Sequence, residues 1–597
     1  MTIWFVQVLV DQLSTLLSVD DASLKVLLCT LLSFPFSFIF KRLPDHNYSL
    51  KNWYNIGVSL FYIFGILGVV DGLWTIIISS LGCYFITRYV RTSSMPWINF
   101  IYLMSLLAYT HFSHQFFNDY DRTKIDLSGA QMVLVIKLTS FGWNIYDGTR
   151  PEQELTKYTK TRAIKKHPNI LPYIGYTFFY ASLLTGPAFD YADYDRFLHS
   201  SLFDDVPEQY RPGKKKRKIP RSGKQSLSKT VQGFICIILL VNAPRFFVNE
   251  YILTTEFMSH NFVYRIFYLW LLSFTQRLRY YSIWLIAEGA CILCGIGYNG
   301  YDSVTNQIKW DRVQNIDPYT FETGQNIHIC LEAWNMNTNK WLKNYVYLRV
   351  ARKGRKPGFK STLFTFVTSA FWHGTRPGYY MTFVLGAILQ TVGRIFRRHL
   401  RPIFLQADGK SAKPSKKYYD IVCYIITQLS IGYLAQPFVF LDFPRSVKAW
   451  TTCYFYLPII SILVIFAFDG PYKKQVIGYF KSLQDVEKYK HKLAPEEAKL
   501  VNNAVESLLE KESYDNIPTL GLPPIDYLQT VDKHEVDQDI TEFKQAWTSF
   551  RRRRGSIKED DFEGLRDAYN NFTNEMNTIL NSRKEEFLNS QPNKKSD

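Results

Sequence analysis

Residues 26–40 read VLLCTLLSFPFSFIF without a single charge, and Lys41-Arg42 close the run. A bilayer core asks for about 20 mostly apolar residues per helical span. Comparable stretches recur at 56–70, 72–87, 97–113, 129–146, 170–189, 231–248, 262–275, 281–300, 361–373, 379–396, 419–441 and 449–468. One such run fits a soluble core; a dozen in series do not. Some are short, which predicts re-entrant or buried segments among them and roughly ten to twelve spans overall. The expected fold class is therefore all-α, a polytopic integral membrane protein. Residues 1–17 are apolar around Asp11, and the first basic residue is Lys25. No charged n-region opens the chain, so the first span is expected to serve as insertion signal in place of a cleaved peptide.

The 597 residues carry 70 Lys+Arg against 52 Asp+Glu, a formal charge of +18, with 47% apolar and 16% aromatic residues. That aromatic content excludes a disordered chain, and eight Cys over this length exclude a disulfide-dense secreted scaffold. The excess charge sits in loops: KYTKTRAIKK at 157–166, GKKKRKIPRSGK at 213–224, RVARKGRKPGFK at 349–360, and RRHLR and KPSKK within 397–417. The positive-inside rule places these loops in the cytosol. Attraction to anionic lipids then accounts for the basic balance, and a nucleic-acid partner is not expected. A phosphorylated cytosolic substrate is a further use for the same charges.

The character changes near residue 480. Residues 481–597 hold 18 Lys+Arg and 23 Asp+Glu, a net of -5. The expected division is a membrane domain at 1–480 and a charged cytosolic tail at 481–597, with helical pieces at 483–513, 534–553 and 559–588 around NIPTLGLPPIDY. The tail ends PNKKSD, and Lys594-Lys595 has the form of a dilysine endoplasmic-reticulum retrieval signal. No internal repeat and no Walker loop are found.

Ionisable groups inside spans are costly and mark function by default. His373 closes the run Leu363-Phe364-Thr365-Phe366-Val367-Thr368-Ser369-Ala370-Phe371-Trp372-His373, the only ionisable residue between Lys360 and Arg376. A core histidine bonded to a carbonyl is the plain alternative. The small residues Ser369, Ala370 and Gly374 around it leave room for a ligand, and Pro377-Gly378 break the helix nearby. The second cluster is Glu332 to Tyr345, whose Trp residues recur at helical spacing while its Asn residues, Glu and Lys make it too polar for lipid. It is either an amphipathic surface helix or a segment buried in protein beside a wet cavity.

Between the two clusters runs the basic turn Arg349 to Lys360. Asn335 stands 14 residues before it and His373 stands 13 after it. If both arms are helical, at ~1.5 Å per residue each lies roughly 20 Å from the turn, so a hairpin sets both at nearly equal depth. Burial disfavours a charged imidazole, leaving it able to accept a proton. Beside it, a primary amide can orient a reactant or donate to developing negative charge. Acyl transfer to a hydroxyl fits this pair, and no Ser occupies a G-x-S-x-G elbow. Glu288 is the other conspicuous carboxylate, either paired with Arg277 or Arg279 or turned to substrate. Gly295, Gly297, Asn299 and Gly300 mark a helix end or a close backbone approach. His111 and His114 are spaced H-x-x-H, and Cys291 and Cys294 are spaced C-x-x-C. Neither has a matching second pair, so no metal is expected; 11 scattered His are also too few for a membrane di-iron cluster.

At these residues the chain resembles the membrane-bound O-acyltransferase (MBOAT) family, and within it the fungal broad-specificity lysophospholipid acyltransferases of the endoplasmic reticulum. The resemblance covers most of residues 1–475. It rests on Trp334-Asn335-Met336 with Trp341-Leu342-Lys343-Asn344-Tyr345-Val346-Tyr347, on Ser369-Ala370-Phe371-Trp372-His373-Gly374 with Pro377-Gly378-Tyr379-Tyr380, and more weakly on Gly297-Tyr298-Asn299-Gly300. It implies about eleven transmembrane helices around an intramembrane catalytic tunnel, with His373 and Asn335 as the catalytic pair. It further implies acyl-CoA as co-substrate, no permanently bound cofactor, and a lipid acceptor arriving sideways from the bilayer. The implied reaction acylates the sn-2 hydroxyl of 1-acyl lysophospholipids (lysophosphatidylcholine, -ethanolamine, -serine, lysophosphatidic acid). Trp334, Glu288, Asn299, Trp372, Arg349 and Lys360 are the further substrate-binding candidates. Implied partners are membrane lipids and dilysine retrieval machinery, in the endoplasmic reticulum membrane with a cytosolic C-terminus. Two rivals remain: another acceptor (sterol, diacylglycerol or a protein) on the same fold, which the Trp-Asn-Met form disfavours, and a proton-coupled transporter, which the missing repeat disfavours.

Overall fold

The computed structural model describes residues 2–17, 19–70, 72–117, 127–212, 218–350, 359–406 and 411–485. The chain divides into two units at Leu522–Pro523, and every described residue belongs to the first. The acidic tail's helical pieces from 486 onward, the dilysine ending and most of the turn after Arg349 lie outside the described residues.

Helices dominate, and the strands among the described residues are one antiparallel pair, Tyr301–Asp302 against Gln307–Ile308. Ten helices that position the site are labelled in chain order. They are α1 (Asp21–Phe40), α2 (Met95–Phe116), α3 (Ser128–Asp147), α4 (Gly223–Asn242) and α5 (Phe262–Cys294), then α6 (Met336–Trp341), α7 (Phe359–His373), α8 (Pro377–His399), α9 (Lys416–Leu434) and α10 (Tyr456–Asp469).

The apolar surface identifies the solvent. On α4 the side chains of Leu227, Val231, Phe234, Ile235, Ile238 and Leu239 are exposed, while only Ser226 and Gly233 are buried. On α10, Ile459, Ile460, Ile462, Leu463 and Phe466 also face outward. Apolar faces of that extent call for lipid around them. The interior carries the opposite chemistry, with Asn55, Gln131, Asn144, Asp147 and Glu288 all buried. Among the described residues, three helices can cross a membrane by length and composition, Asp21–Phe40, Gly223–Leu253 and Lys416–Phe440, and a fourth span is available if Phe443–Thr451 and Tyr456–Asp469 act together across their 77° bend.

Several of the apolar runs fold differently from twelve separate spans. The runs at 262–275 and 281–300 merge into α5, one 33-residue helix. At 1.5 Å per residue it is about 50 Å long. Arg277 does not break it, because Glu322 takes that guanidinium with two bonds, Nε to Oε1 at 2.8 Å and Nη2 to Oε2 at 2.7 Å. The run at 170–189 forms only the helix Ile170–Thr177 and then turns. Its Tyr173, Tyr176, Phe179 and Tyr180 are buried in protein, the setting in which irregular backbone is tolerated in a membrane protein.

The polar Glu332–Tyr345 segment is buried rather than laid on the surface. From Met336 to Val350 the chain is helical throughout, as α6, a π-helical turn at Leu342–Tyr347 and a last turn at Leu348–Val350. One face of this arm zips onto α3 in three steps. Trp341 Nε1 donates to Thr139 Oγ1 at 2.8 Å. Tyr345 Oη donates to Asn144 Oδ1 at 2.8 Å and lies 2.9 Å from Asp190 Oδ1. Arg349 Nη1 and Nη2 reach Asp147 Oδ1 and Oδ2 at 2.8 and 2.5 Å. Polar side chains are thus paired before they are buried, as a low-dielectric interior requires.

Candidate active site

The two arms of the expected hairpin are both helical. Asn335 caps the start of α6 and His373 is the last residue of α7, and the indole rings of Trp341 and Trp372 meet between the arms at 6.2 Å. The two candidate residues therefore occupy matching ends of packed arms, and no hydrogen bond joins them.

Asn335 differs from its neighbours in two ways. Its backbone is left-handed, with φ 44° and ψ 52°, a conformation that Asn tolerates better than most residues. Its amide is also the available one. Asn337 Nδ2 donates to Val313 O and Gln314 O at 3.2 Å, Asn339 Nδ2 donates to Leu331 O and Trp334 O at 2.5 and 2.6 Å, and Asn344 Nδ2 donates to Lys340 O at 2.8 Å. Asn335 instead accepts from Thr338 Oγ1 through Oδ1 at 2.8 Å. That contact aims the amide and leaves its NH2 group with no protein acceptor among the described residues. Met336 N, bonded to Asn315 O at 2.8 Å, anchors the turn from the other side.

Trp334 is boxed by four rings, Tyr280, Tyr281, Trp284 and Phe321, at centroid distances of 5.3–5.8 Å. Below them, Tyr281 Oη donates to Glu322 Oε1 at 2.6 Å, beside Arg277. Trp334 thus fixes the backbone one residue before the left-handed Asn335.

His373 stands among four rings: Trp372 at 4.6 Å, Phe438 at 5.1 Å, Phe383 at 5.2 Å in a stacked arrangement, and Tyr379 at 5.6 Å. Neither ring nitrogen bonds another described residue. The plain alternative, a core histidine satisfied by a carbonyl, is not what the structure contains. Gly374 follows at φ 143°, where a Cβ would come within 3.0 Å of the Tyr379 ring, so the turn after the imidazole demands glycine.

The last turn of α2 brackets that turn from outside the two motifs. His111 Nε2 lies 3.3 Å from the Trp372 carbonyl oxygen, and Gln115 Oε1 accepts from Thr375 Oγ1 at 2.5 Å. The Trp372 indole donates to Met132 O on α3 at 3.0 Å. Two side chains four apart on one helix therefore hold the residues on either side of His373 and Gly374. The sequence placed His111 in view through its spacing to His114, but for a metal; nothing local marks Gln115, because its partner is 260 residues away.

The remaining predicted site residues take other places. Glu288 pairs with neither Arg277 nor Arg279: Lys229 Nζ on α4 stands 2.9 Å from its Oε1. Asn299 is exposed and bonds Asp311 at 3.0 Å, closing the loop that carries the strand pair. Arg349 is committed to Asp147, with its guanidinium 4.4 Å from the Trp143 ring. The side chain of Lys360 lies outside the described residues. Cys291 and Cys294 are buried and donate to Ala181 O and Cys291 O, and no cluster of three metal-ligating side chains occurs among the described residues.

A bundle that turns apolar faces outward and encloses amide, carboxylate and imidazole groups defines an integral membrane protein with an interior polar site. By sequence the chain belongs to the membrane-bound O-acyltransferase family, whose model matches residues 112–436. It is 44% identical over 590 residues to a Saccharomyces cerevisiae protein named lysophospholipid acyltransferase, spanning 96% of this chain and 94% of that one. It is 42% identical over 472 residues to the Schizosaccharomyces pombe protein of the same name, covering 79% and 91%. It is 28% identical over 372 residues to human membrane-bound glycerophospholipid O-acyltransferase 2, covering 61% and 69%.

Proposed function

We propose that the chain transfers a fatty acyl group from acyl-CoA to the free sn-2 hydroxyl of 1-acyl lysophospholipids. The observation that carries this reading is the availability of two groups at matching ends of paired helices: the Asn335 amide NH2 and the His373 ring nitrogens. A neutral His373 takes the proton of the glycerol hydroxyl as its oxygen attacks the thioester carbonyl. The carbonyl oxygen gains negative charge, and in this reading the Asn335 NH2 donates to it. Collapse of that intermediate breaks the C–S bond, and the departing CoA sulfur takes the proton from the imidazole. The product is a diacyl phospholipid. The rings of Trp372, Phe383 and Phe438 exclude water, which would otherwise hydrolyse the thioester.

The names of the fungal relatives support the acceptor class. The reading includes about eleven spans around a tunnel, donor entry from the basic cytosolic side, residence in the endoplasmic reticulum, and a cytosolic C-terminus ending in the Lys594-Lys595 signal. The deciding experiment measures thiol release from oleoyl-CoA with a panel of lysophospholipids, sterol and diacylglycerol, comparing wild type with His373→Ala. Release that requires a lysophospholipid and disappears in the variant is expected. Equal turnover in His373→Ala, or release only with sterol, overturns the proposal.

A further inference from the structure

A neutral imidazole does not by itself distinguish a glycerol hydroxyl from water, since both offer an O–H proton to its ring nitrogen. What separates transfer of the acyl group from hydrolysis of the thioester is the wall around His373. Three of the four rings in that wall lie on the two helices that carry the imidazole and its motif, Trp372 on α7 and Tyr379 and Phe383 on α8. The fourth, Phe438, comes from the short helix Gln436–Phe440 that follows α9.

Phe438 closes the gap between the others. Its ring stands 5.1 Å from the imidazole at 81°, and it also meets Tyr379 at 5.0 Å and Phe383 at 6.4 Å, all as edge contacts. Tyr379 and Phe383 are four residues apart, one above the other on α8, so a single ring from a distant segment packs against both and against His373. A water needs polar partners to remain in a cavity, and the Phe438 and Phe383 rings offer it none.

The main chain holds this ring in place without help from its side chain. Gly378 N donates to Leu441 O at 2.8 Å, and a Cβ on Gly378 would run into Pro437 O and Leu441 Cα. The first turn of α8 and the short helix are therefore in direct backbone contact beside the site. At the other end the buried Gln436 donates through Nε2 to Gly432 O at 2.7 Å. Leu441 takes φ 69°, a region that a branched residue enters only at a cost. Such a conformation persists where its surroundings over-determine it.

We infer, on the acyl-transfer reading above, that Phe438 is a specificity-determining residue: it sets the choice between transfer and hydrolysis by denying water the space beside the imidazole. With the ring cut back, water enters that space and gives a proton to His373 as its oxygen attacks the thioester carbonyl carbon. The C–S bond breaks, and the imidazole passes the proton to sulfur. The products are a free fatty acid and CoA, and water is the one added reactant.

The test uses the full chain in nanodiscs with radiolabelled oleoyl-CoA and lysophosphatidylcholine, and measures thiol, free oleate and diacyl product in the same samples. Phe438→Leu, Phe438→Val and Phe438→Ala remove the ring in steps, so the trend does not depend on the alanine variant folding. Free oleate per diacyl product is expected to rise as the side chain shrinks, by roughly tenfold or more in Phe438→Ala, the lower end of the discrimination an apolar pocket supplies. A merely structural role would lower both products together and leave their ratio unchanged. Adding His373→Ala to Phe438→Ala is expected to abolish oleate release, because one imidazole serves both reactions. A wild-type ratio across variants that still transfer overturns the inference and leaves the acyl-transfer reading standing. Oleate release that survives His373→Ala overturns it as well. Absence of diacyl product in wild type overturns the acyl-transfer reading and the role of Phe438 with it.

Discussion

Arg349 and Asp147 form a two-pronged ion pair, with Asp147 fully buried and the Arg349 side chain 11% exposed. It is the third rung, after Trp341–Thr139 and Tyr345–Asn144, of the contact that holds the Asn335 arm to α3. A residue that reads as part of a basic cytosolic turn therefore fixes the site's scaffold.

Removing one partner of a buried pair leaves the other charge uncompensated, at a cost of about 3–5 kcal/mol. Asp147→Ala is expected to lose stability on that scale, visible as a lower melting temperature in detergent. Arg349→Ala is expected to show a smaller loss, since Arg150 also stands 3.8 Å from Asp147. A normal melting temperature with a raised KM for acyl-CoA in Arg349→Ala would instead assign the guanidinium to the donor.

His373→Ala is expected to remove acyl transfer with little change in melting temperature, because no hydrogen bond to a described residue is lost with the ring. The matched measurement is thiol release together with thermal stability on one preparation. Activity above a few per cent of wild type counts against a general base at this position.

Asn335 separates chemistry from backbone strain. Asn335→Gly keeps the left-handed turn, which glycine adopts freely, but removes the amide. Its kcat is expected to fall roughly 10²–10³-fold, as for loss of an oxyanion donor, with a near-normal melting temperature. Asn335→Ala is expected to show the same kcat and an added loss of stability of about 1 kcal/mol from its positive φ.

The α2 bracket predicts positioning effects. His111→Ala and Thr375→Val are expected to lower kcat about tenfold while leaving KM near its wild-type value, in line with the cost of small misplacements. Thr375→Ser retains the hydroxyl that reaches Gln115 and is expected to restore activity. Equal loss in Thr375→Ser and Thr375→Val would reduce the bracket to packing.

Reading the sequence went far where the signal was local. The apolar runs identified an all-helical membrane chain, and the near-equal spacing of Asn335 and His373 from the Arg349–Lys360 turn took two helical arms as its premise, which the structure has. It went less far where partners are distant in sequence. Glu288 was matched to the nearest cations on its own helix, whereas the closer one is Lys229 on α4, across a helix pair that composition does not register. The charge-free run at 170–189 resembled a span because burial in protein and burial in lipid select the same residues. Trp372 and Trp334 offered themselves as substrate contacts; in the structure the Trp372 indole donates to Met132 O beside His373, and Trp334 sits in a box of aromatic rings.

The π-helical turn at Leu342–Tyr347 acts as a spacer inside the Asn335 arm. Such a turn holds one residue more than an α-helical turn, and each residue rotates a helix by roughly 100°. Deleting a single residue there would swing Arg349 about a quarter circle off Asp147 while Trp341 kept its grip on Thr139. The arm would have to choose which rung to keep, and the height of Asn335 against the imidazole would move with that choice. The bulge thus works as the adjusting washer that lets one helix satisfy its anchor and its chemistry together.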